Sequence, residues 1–152
     1  MYTEYQPSHL LVPYIDNYWE FKGNPDYGMR IHILPDGCTD FIFTLGEVAN
    51  AVEEGSLMMQ PYRSYFVGPM TKYSELVTYA ESVHMFGVRF LPCGLSCFTN
   101  LPLHEFVNSR INANEMKAVF DDTFIERLCE QKHIADRIRV VEEYLLAYLA
   151  RH

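Results

Sequence analysis

The segment Ile33–Phe43, which reads ILPDGCTDFIF, constrains the fold of this chain more than any other stretch. It is a strand-like run interrupted by a compact turn. Pro35 presets its own φ, Asp36 can hydrogen-bond its own backbone, and Gly37 adopts a left-handed conformation without steric cost. An Asp-Gly corner between apolar runs is typical of a β-hairpin. We therefore predict a hairpin with Asp36 and Asp40 near its corner.

A second interrupted strand, Phe86–Phe98, reads FGVRFLPCGLSCF and carries a charge inside its apolar part. Arg89 stands there between apolar neighbours that face the other side of the strand. A partly buried guanidinium needs an anionic partner, and we predict a structural pair with Asp36 or Asp40. The alternative is that Arg89 anchors an anionic effector.

Composition limits the class of protein. The 152 residues suit one domain, and 49% hydrophobic content is ample for a core. The formal charge of −8 opposes binding to nucleic acid by these residues. We find no signal peptide and no apolar run of membrane-spanning length, and we expect a cytoplasmic protein with no membrane partner. The four cysteines are expected to be reduced.

Turn signals separate short strand-like segments up to about residue 91, and helical spacings follow Pro92. Residues 14–22 alternate as a half-buried strand would. The predicted fold class is α+β: an antiparallel β-sandwich or partial barrel over about residues 1–91, followed by a C-terminal helical segment over about residues 92–152.

The last predicted helix carries an apolar stripe with steps of four and three residues. This spacing suits packing either on the chain's own domain or on a second copy of it. We take dimerisation as the prediction, through the stripe residues Ile134, Ile138, Val141, Leu145 and Tyr148.

The order of these signals resembles the N-terminal regulatory domain of AraC-type transcription regulators. A proline near the start with Ile15 and Tyr18-Trp19 is followed by ILPDGCTDFIF, FVGPM at residues 66–70, GVRFLPCG at residues 87–94, and finally LPLHEFVN. The resemblance covers nearly the whole chain.

The resemblance implies a cupin-like β-sandwich followed by helices. It also implies a non-catalytic module that senses a small-molecule effector, dimerises, or does both, and so controls an attached helix-turn-helix DNA-binding domain. We expect residues 1–152 to form this single regulatory domain, with the DNA-binding domain absent from the chain. The expected partners are a small-molecule effector and a second copy in a homodimer, with DNA reached only through the missing domain.

Candidate ligand-binding residues are polar or aromatic side chains on the predicted strands, where a sandwich interior can hold a small molecule. The alternative for the large aromatic side chains is that they fill the core. The candidates are Tyr18, Trp19, Arg30, His32 and His84.

No metal, cofactor or catalytic residue is predicted. The histidines lack the closely spaced pair of metal-binding cupins, and no nucleophile elbow or redox motif is present. Cys93 with Cys97 and Cys129 with His133 have spacings that would let each pair share a helix face, which keeps a zinc site open as an alternative.

Three other classes of function stay open. A free-standing cupin-like small-molecule-binding protein would show a ligand-dependent thermal shift without a downstream domain. A cupin-like enzyme would need a metal or an acid–base pair. A purely structural dimerisation module would have a filled sandwich and no ligand response.

Overall fold

The computed structural model describes the backbone of residues 2–24, 26, 29–33, 37–45, 50–51, 60, 62–71, 74–78, 82–100, 102–112 and 119–151. It describes the side chains of the same residues except those of 29–33, 50–51, 74–78 and 110–112.

Two antiparallel sheets and two helices make up the described fold, which is α+β as predicted. One sheet has six strands in the order β1-β2-β8-β4-β6-β9, and the other has three in the order β3-β7-β5. The strands are β1 (Tyr2–Tyr5), β2 (Ile15–Gly23), β3 (Met29–Ile33), β4 (Thr39–Thr44), β5 (Asn50–Ala51), β6 (Ser64–Val67), β7 (Ser74–Thr78), β8 (Val83–Phe90) and β9 (Arg110–Asn112).

The predicted hairpin at Pro35-Asp36-Gly37 is wrong. β3 pairs with β7 in the smaller sheet, whereas β4 pairs with β6 and β8 in the larger one. The turn sequence specifies a change of direction, but it does not choose the strand that each arm pairs with. In this chain the two arms belong to different sheets.

Strands β4 and β8, one from each of the two interrupted segments, are neighbours nonetheless. β4 and β8 pair over six registered positions, from Thr39 opposite Phe90 to Thr44 opposite Met85. Beyond the ladder, a Cβ added to Gly37 would contact the ring of Pro92 at 3.7 Å. Gly37 has φ 76°, the left-handed conformation expected of this turn.

The predicted C-terminal helical segment is present, but its described residues are not helical throughout. Residues 95–97 and 103–106 form only 3-10 turns, and β9 then returns to the edge of the six-stranded sheet. The α-helices are α1 (Asp122–Glu130) and α2 (Ile134–Arg151). The carboxylate of Asp121 caps α1 by accepting the Phe124 backbone N–H at 2.8 Å. No helix among the described residues is long and apolar enough to cross a membrane.

One face of the six-stranded sheet forms the main core with α1 and α2. Side chains at alternate positions of β2, β4, β6 and β8 meet the buried faces of both helices in a single apolar cluster. Aromatic rings join the layers, since Phe120 lies 5.1 Å from Phe41 and 4.5 Å from Phe124, measured between ring centroids. The helices are therefore fixed to the sheet by large apolar contacts.

Strand β2 departs from the predicted half-buried alternation. Its register against β8 shifts between Ile15 and Asn17, so Asp16 is an extra residue in a β-bulge. The bulge lets Ile15 and Tyr18 both join the helix-side core, and Trp19 on the other face is also buried. Both sheet faces are covered at this strand.

The apolar stripe of α2 packs on its own domain. Val141 and Leu145 are 0% exposed within this core, and Ile134, Ile138 and Tyr148 pack against it. A dimer contact through Val141 or Leu145 would require α2 to leave the sheet. The first of the two packing alternatives therefore describes this stripe, and dimerisation stays a prediction.

The segment FVGPM at residues 66–70 packs against residues 106–109. The backbone N–H of Gly68 donates to the Ser109 carbonyl at 2.9 Å, and a Cβ at Gly68 would collide with the Phe106 carbonyl. Asn108, at φ 59°, accepts the Thr71 backbone N–H on Oδ1 at 2.9 Å and donates from Nδ2 to the Thr71 hydroxyl at 2.8 Å. These contacts hold residues 68–71 against residues 106–109.

Candidate functional site

A line of polar side chains crosses the sheet face turned away from the helices. Asn17 on β2 lies opposite Arg89 on β8, and Arg89 lies opposite Asp40 on β4. Glu4 on the edge strand β1 extends the line through a hydrogen bond to Asn17. We call Glu4, Asn17, Arg89 and Asp40 the polar row. Asn17, Arg89 and Asp40 share one face because their positions are in register, and Glu4 lies opposite Trp19, two residues from Asn17 on the same face of β2.

Asp40 is the centre of the polar row. Its Oδ1 accepts the indole N–H of Trp19 at 2.9 Å. The Nε of Arg89 lies 3.3 Å from Oδ1 and 3.4 Å from Oδ2 of the same carboxylate. The Asp40 side chain is buried, so this is a charge-assisted contact with little solvent screening. It ties β4, β8 and β2 together.

Gly87 makes room for the indole. Trp19 and Gly87 are opposite in the β2–β8 ladder, and a Cβ at Gly87 would overlap Cε2, Nε1 and Cζ2 of Trp19. A glycine at this position therefore lets the indole lie flat on the sheet and reach Asp40.

Asn17 carries an unmet hydrogen-bonding group. Its Nδ2 donates to Glu4 Oε2 at 2.9 Å and to Asp16 Oδ2 at 2.8 Å. This orientation follows because only the amide nitrogen can donate to two carboxylates. Oδ1 is left buried without a hydrogen-bond partner among the described residues, in a side chain that is 5% exposed. A buried acceptor without a donor costs about 1–3 kcal/mol, so Oδ1 favours any donor that can reach it.

Tyr2 covers the outer end of the polar row. Its hydroxyl donates to Glu4 Oε2 at 3.3 Å, and its ring lies 5.9 Å from the Trp19 ring at 31°. Burial, aided by the Glu4 and Asp40 carboxylates against the Arg89 guanidinium, raises the pKa of Tyr2 to about 12. The hydroxyl therefore stays protonated and available as a donor.

The other face of β2 binds helix α2. Glu142 Oε2 accepts the Tyr18 hydroxyl at 3.0 Å and the Ser8 backbone N–H at 2.9 Å. Burial raises the pKa of Tyr18, and the neighbouring Glu142 carboxylate adds to this shift. One carboxylate thus joins α2 to both β2 and the N-terminal segment.

A buried arginine that sequence reasoning missed makes the second connection. Arg137, 6% exposed, donates from Nη1 to Glu20 Oε2 at 3.3 Å and from Nη2 to the Gln131 carbonyl at 3.0 Å. Glu20 Oε2 also lies 2.9 Å from His84 Nε2. Burial lowers the pKa of His84, and the Arg137 charge acts in the same direction against the Glu20 contact.

The burial of Arg137 could not be predicted from the sequence, because a charged residue on an amphipathic helix is ordinarily exposed.

The five predicted ligand-binding residues do not form one site. Tyr18 and His84 lie on the helix side of the sheet, and Trp19 lies on the opposite side. Arg30 and His32 occupy β3, where the structure describes only the backbone.

The predicted polar pair is brought together in part. Arg89 and Asp40 are in contact, and Asp36 lies outside the described residues. Asn17 and Glu4 were not singled out from sequence, because their connection to Arg89 depends on strand pairing that only the structure shows.

The zinc alternative has no support in the geometry. Within the described ranges, no group of three or more His, Cys, Asp or Glu side chains converges to hold a metal ion. Cys93 and Cys97 are exposed free thiols, and Cys129 is a half-buried one. Burial raises the pKa of Cys129.

Comparison with known proteins places the chain in a family without assigning an activity. No curated protein matches it. Residues 3–112, well over half of the chain, match the model of a protein family. The match includes the polar row and all of both sheets except Tyr2, and it ends before α1. The chain therefore belongs to the family described as a domain of unknown function (DUF6597).

Proposed function

We propose that this chain is a non-catalytic regulatory domain of an AraC-type transcription regulator, with a cupin-like sandwich that senses a small molecule or dimerises. It would control a helix-turn-helix DNA-binding domain attached to it in a longer cytoplasmic protein. The order of the motifs along the chain supports the proposal. Their contacts add to this support, because the motifs pack pairwise, β4 against β8 and Gly68 against residues 106–109.

The observation that carries the effector-binding part is the polar row with its buried, unpartnered Asn17 Oδ1. A small molecule with an N–H or O–H donor would satisfy this acceptor, and the rings of Tyr2 and Trp19 provide apolar contact beside it. Burial of a few fixed polar groups among aromatic side chains is the usual composition of a small-molecule site.

The non-catalytic part rests on how Asp40 is used. Its carboxylate accepts hydrogen bonds from Trp19 and from Arg89. These contacts fix the positions of three strands, and they do not require a reacting group.

A thermal-shift screen of the wild-type chain against small metabolites tests effector binding. A true effector raises the melting temperature by mass action. Its shift should be lost in Asn17→Ala and retained in Arg127→Ala, a change at an exposed α1 residue paired with Glu143. A hit whose shift persists in Asn17→Ala would show that the polar row is not its site.

A fusion tests control of DNA binding. The chain is joined to a monomeric helix-turn-helix domain that represses a reporter only as a dimer. We expect repression by the fusion to exceed that by the DNA-binding domain alone, or to change when an effector from the screen is added. Equal repression under all these conditions would contradict the regulatory proposal.

The reading frame beyond the codon for His152 separates this function from that of a free-standing binder. A continuation of about a hundred basic, helical residues, the size of one more domain, is expected for a regulator. A stop codon there would favour the free-standing small-molecule-binding protein.

A further inference from the structure

Strand β2 contacts the polar row with one face and helix α2 with the other. Its consecutive residues alternate between the two sides, so Asn17 and Trp19 point to the row while Tyr18 and Glu20 point to the helix. Two pairs of adjacent residues therefore share one backbone and serve opposite faces of the sheet.

The contacts on the helix side are specific hydrogen bonds. Tyr18 donates its hydroxyl to Glu142, and Glu20 accepts from Arg137. All four side chains are buried or half-buried. Hydrogen bonds of this kind tolerate only small changes in distance and angle. A shift of β2 relative to the helix would therefore change the geometry of both hydrogen bonds.

The contacts on the side of the polar row are also specific side-chain hydrogen bonds. Trp19 donates to Asp40 at 2.9 Å, and Asn17 donates to Glu4 at 2.9 Å. Gly87 leaves the indole of Trp19 no spare space against the sheet. A ligand that moved Asp40 or bound Asn17 Oδ1 would therefore displace side chains fixed to β2.

The β-bulge at Asp16 lies beside both sets of contacts. A bulge contains a residue that is outside the regular ladder, so the strand can adjust there without breaking its remaining pairs with β8. β2 keeps a continuous register from Asn17 to Gly23. The segment beyond the bulge is therefore one uninterrupted ladder that carries both sets of contacts.

We propose that β2 couples the polar row to helix α2, so that a change at the row alters the docking of α2 and a change at α2 alters the row. The coupling is reciprocal by thermodynamic linkage. It rests on the proposed function for its biological role, since an effector at the row would then be reported by α2. The coupling itself requires neither effector nor DNA.

The single tryptophan makes the coupling measurable from the helix side. Trp19 emission, excited at a wavelength that tyrosine does not absorb, reports the environment of the row. Glu142→Ala removes the acceptor of the Tyr18 hydroxyl, and we expect a shift in the Trp19 emission maximum. Glu143→Ala is the matched control, because Glu143 is the next residue on α2, is 52% exposed and binds Arg127 of α1.

Tyr18→Phe is a second variant on this side. It removes only the hydroxyl and leaves the core filled, so it tests the coupling even if Glu142→Ala folds poorly. We expect it to shift Trp19 emission in the same direction as Glu142→Ala.

Hydrogen exchange of the α2 backbone amides tests the reverse direction. We expect Asp40→Asn to speed exchange of these amides about fivefold or more, the lower end of typical coupling between sites. Asp26→Asn, at an exposed residue, is the control for a lost carboxylate. Asn17→Ala provides the same test if Asp40→Asn is not stably folded.

The proposal is overturned if Glu142→Ala and Tyr18→Phe leave Trp19 emission as it is in Glu143→Ala. It is equally overturned if α2 amides in Asp40→Asn or Asn17→Ala exchange as they do in Asp26→Asn. Either result would leave the effector and reporter tests of the proposed function untouched, because those tests do not depend on the docking of α2.

Discussion

Replacing Gly87 by alanine should destabilise the fold through a single side chain. The new Cβ would overlap three atoms of the Trp19 indole, which is 6% exposed and has little room to move. The indole would have to tilt away from the sheet. Its hydrogen bond to Asp40, 2.9 Å long, would be lost or stretched by the same motion.

Two terms set the magnitude. Inserting a methyl group into a packed core costs about 1–3 kcal/mol. Loss of the Trp19–Asp40 hydrogen bond adds roughly 0.5–1.5 kcal/mol. We expect Gly87→Ala to lower the free energy of unfolding by roughly 2–4 kcal/mol, taking most of both terms.

Urea unfolding followed by circular dichroism measures this loss without relying on the displaced tryptophan. The companion variant is Trp19→Phe, which lacks the indole nitrogen and the second ring. If the clash is the cause, the double variant should be more stable than the sum of the two single changes implies, by about 1 kcal/mol or more. Additive effects, or a Gly87→Ala loss below about 0.5 kcal/mol, as at an ordinary surface site, would refute the reasoning.

Three further predictions follow from the structure. Burial lowers the pKa of His84 below its ordinary value of 6.5, so the unfolded chain binds a proton more readily than the folded one. The urea midpoint should therefore fall as the pH drops below 6.5. His84→Gln should weaken this dependence, and an unchanged pH profile in the variant would contradict the assignment. Asp121→Ala removes the cap of α1 and should cost about 1 kcal/mol in urea unfolding, whereas Asp122→Ala, one residue on, should cost less. Asn108→Ala should be less stable than Asn108→Gly by about 1 kcal/mol, because both lose the Thr71 contacts and only glycine accepts φ 59° freely; equal melting temperatures would count against this.

The buried polar contacts divide into those that sequence could suggest and those it could not. Arg89 was predictable as a paired residue because a charge inside an apolar strand requires a partner, and Asp40 is that partner. Arg137 and Glu142 were not predictable, because an amphipathic helix also carries charges on its solvent face. Only the position of α2 against β2 shows that these two side chains are turned inward.

Strand alternation was informative about β2 but incomplete. The pattern identified a strand in the right place, yet it could not show that both faces are covered or that Asp16 forms a bulge. Burial of the second face depends on distant elements, and a bulge depends on the partner strand. Neither the burial of the second face nor the bulge changes the hydrophobic pattern of the β2 sequence.

The sequence by itself determined the elements whose causes are local. These are the α+β class, the alternating strands, the positive φ of Gly37, and the amphipathic α2. The tertiary structure alone decided how these elements combine, including the separation of β3 and β4 into two sheets, the return of β9 to the sheet edge, and the packing of the α2 stripe on its own domain. The physical reason is that backbone preferences and hydrophobic periods act over a few residues. The choice of pairing partner depends on which apolar faces and polar groups can be satisfied across the whole chain at once.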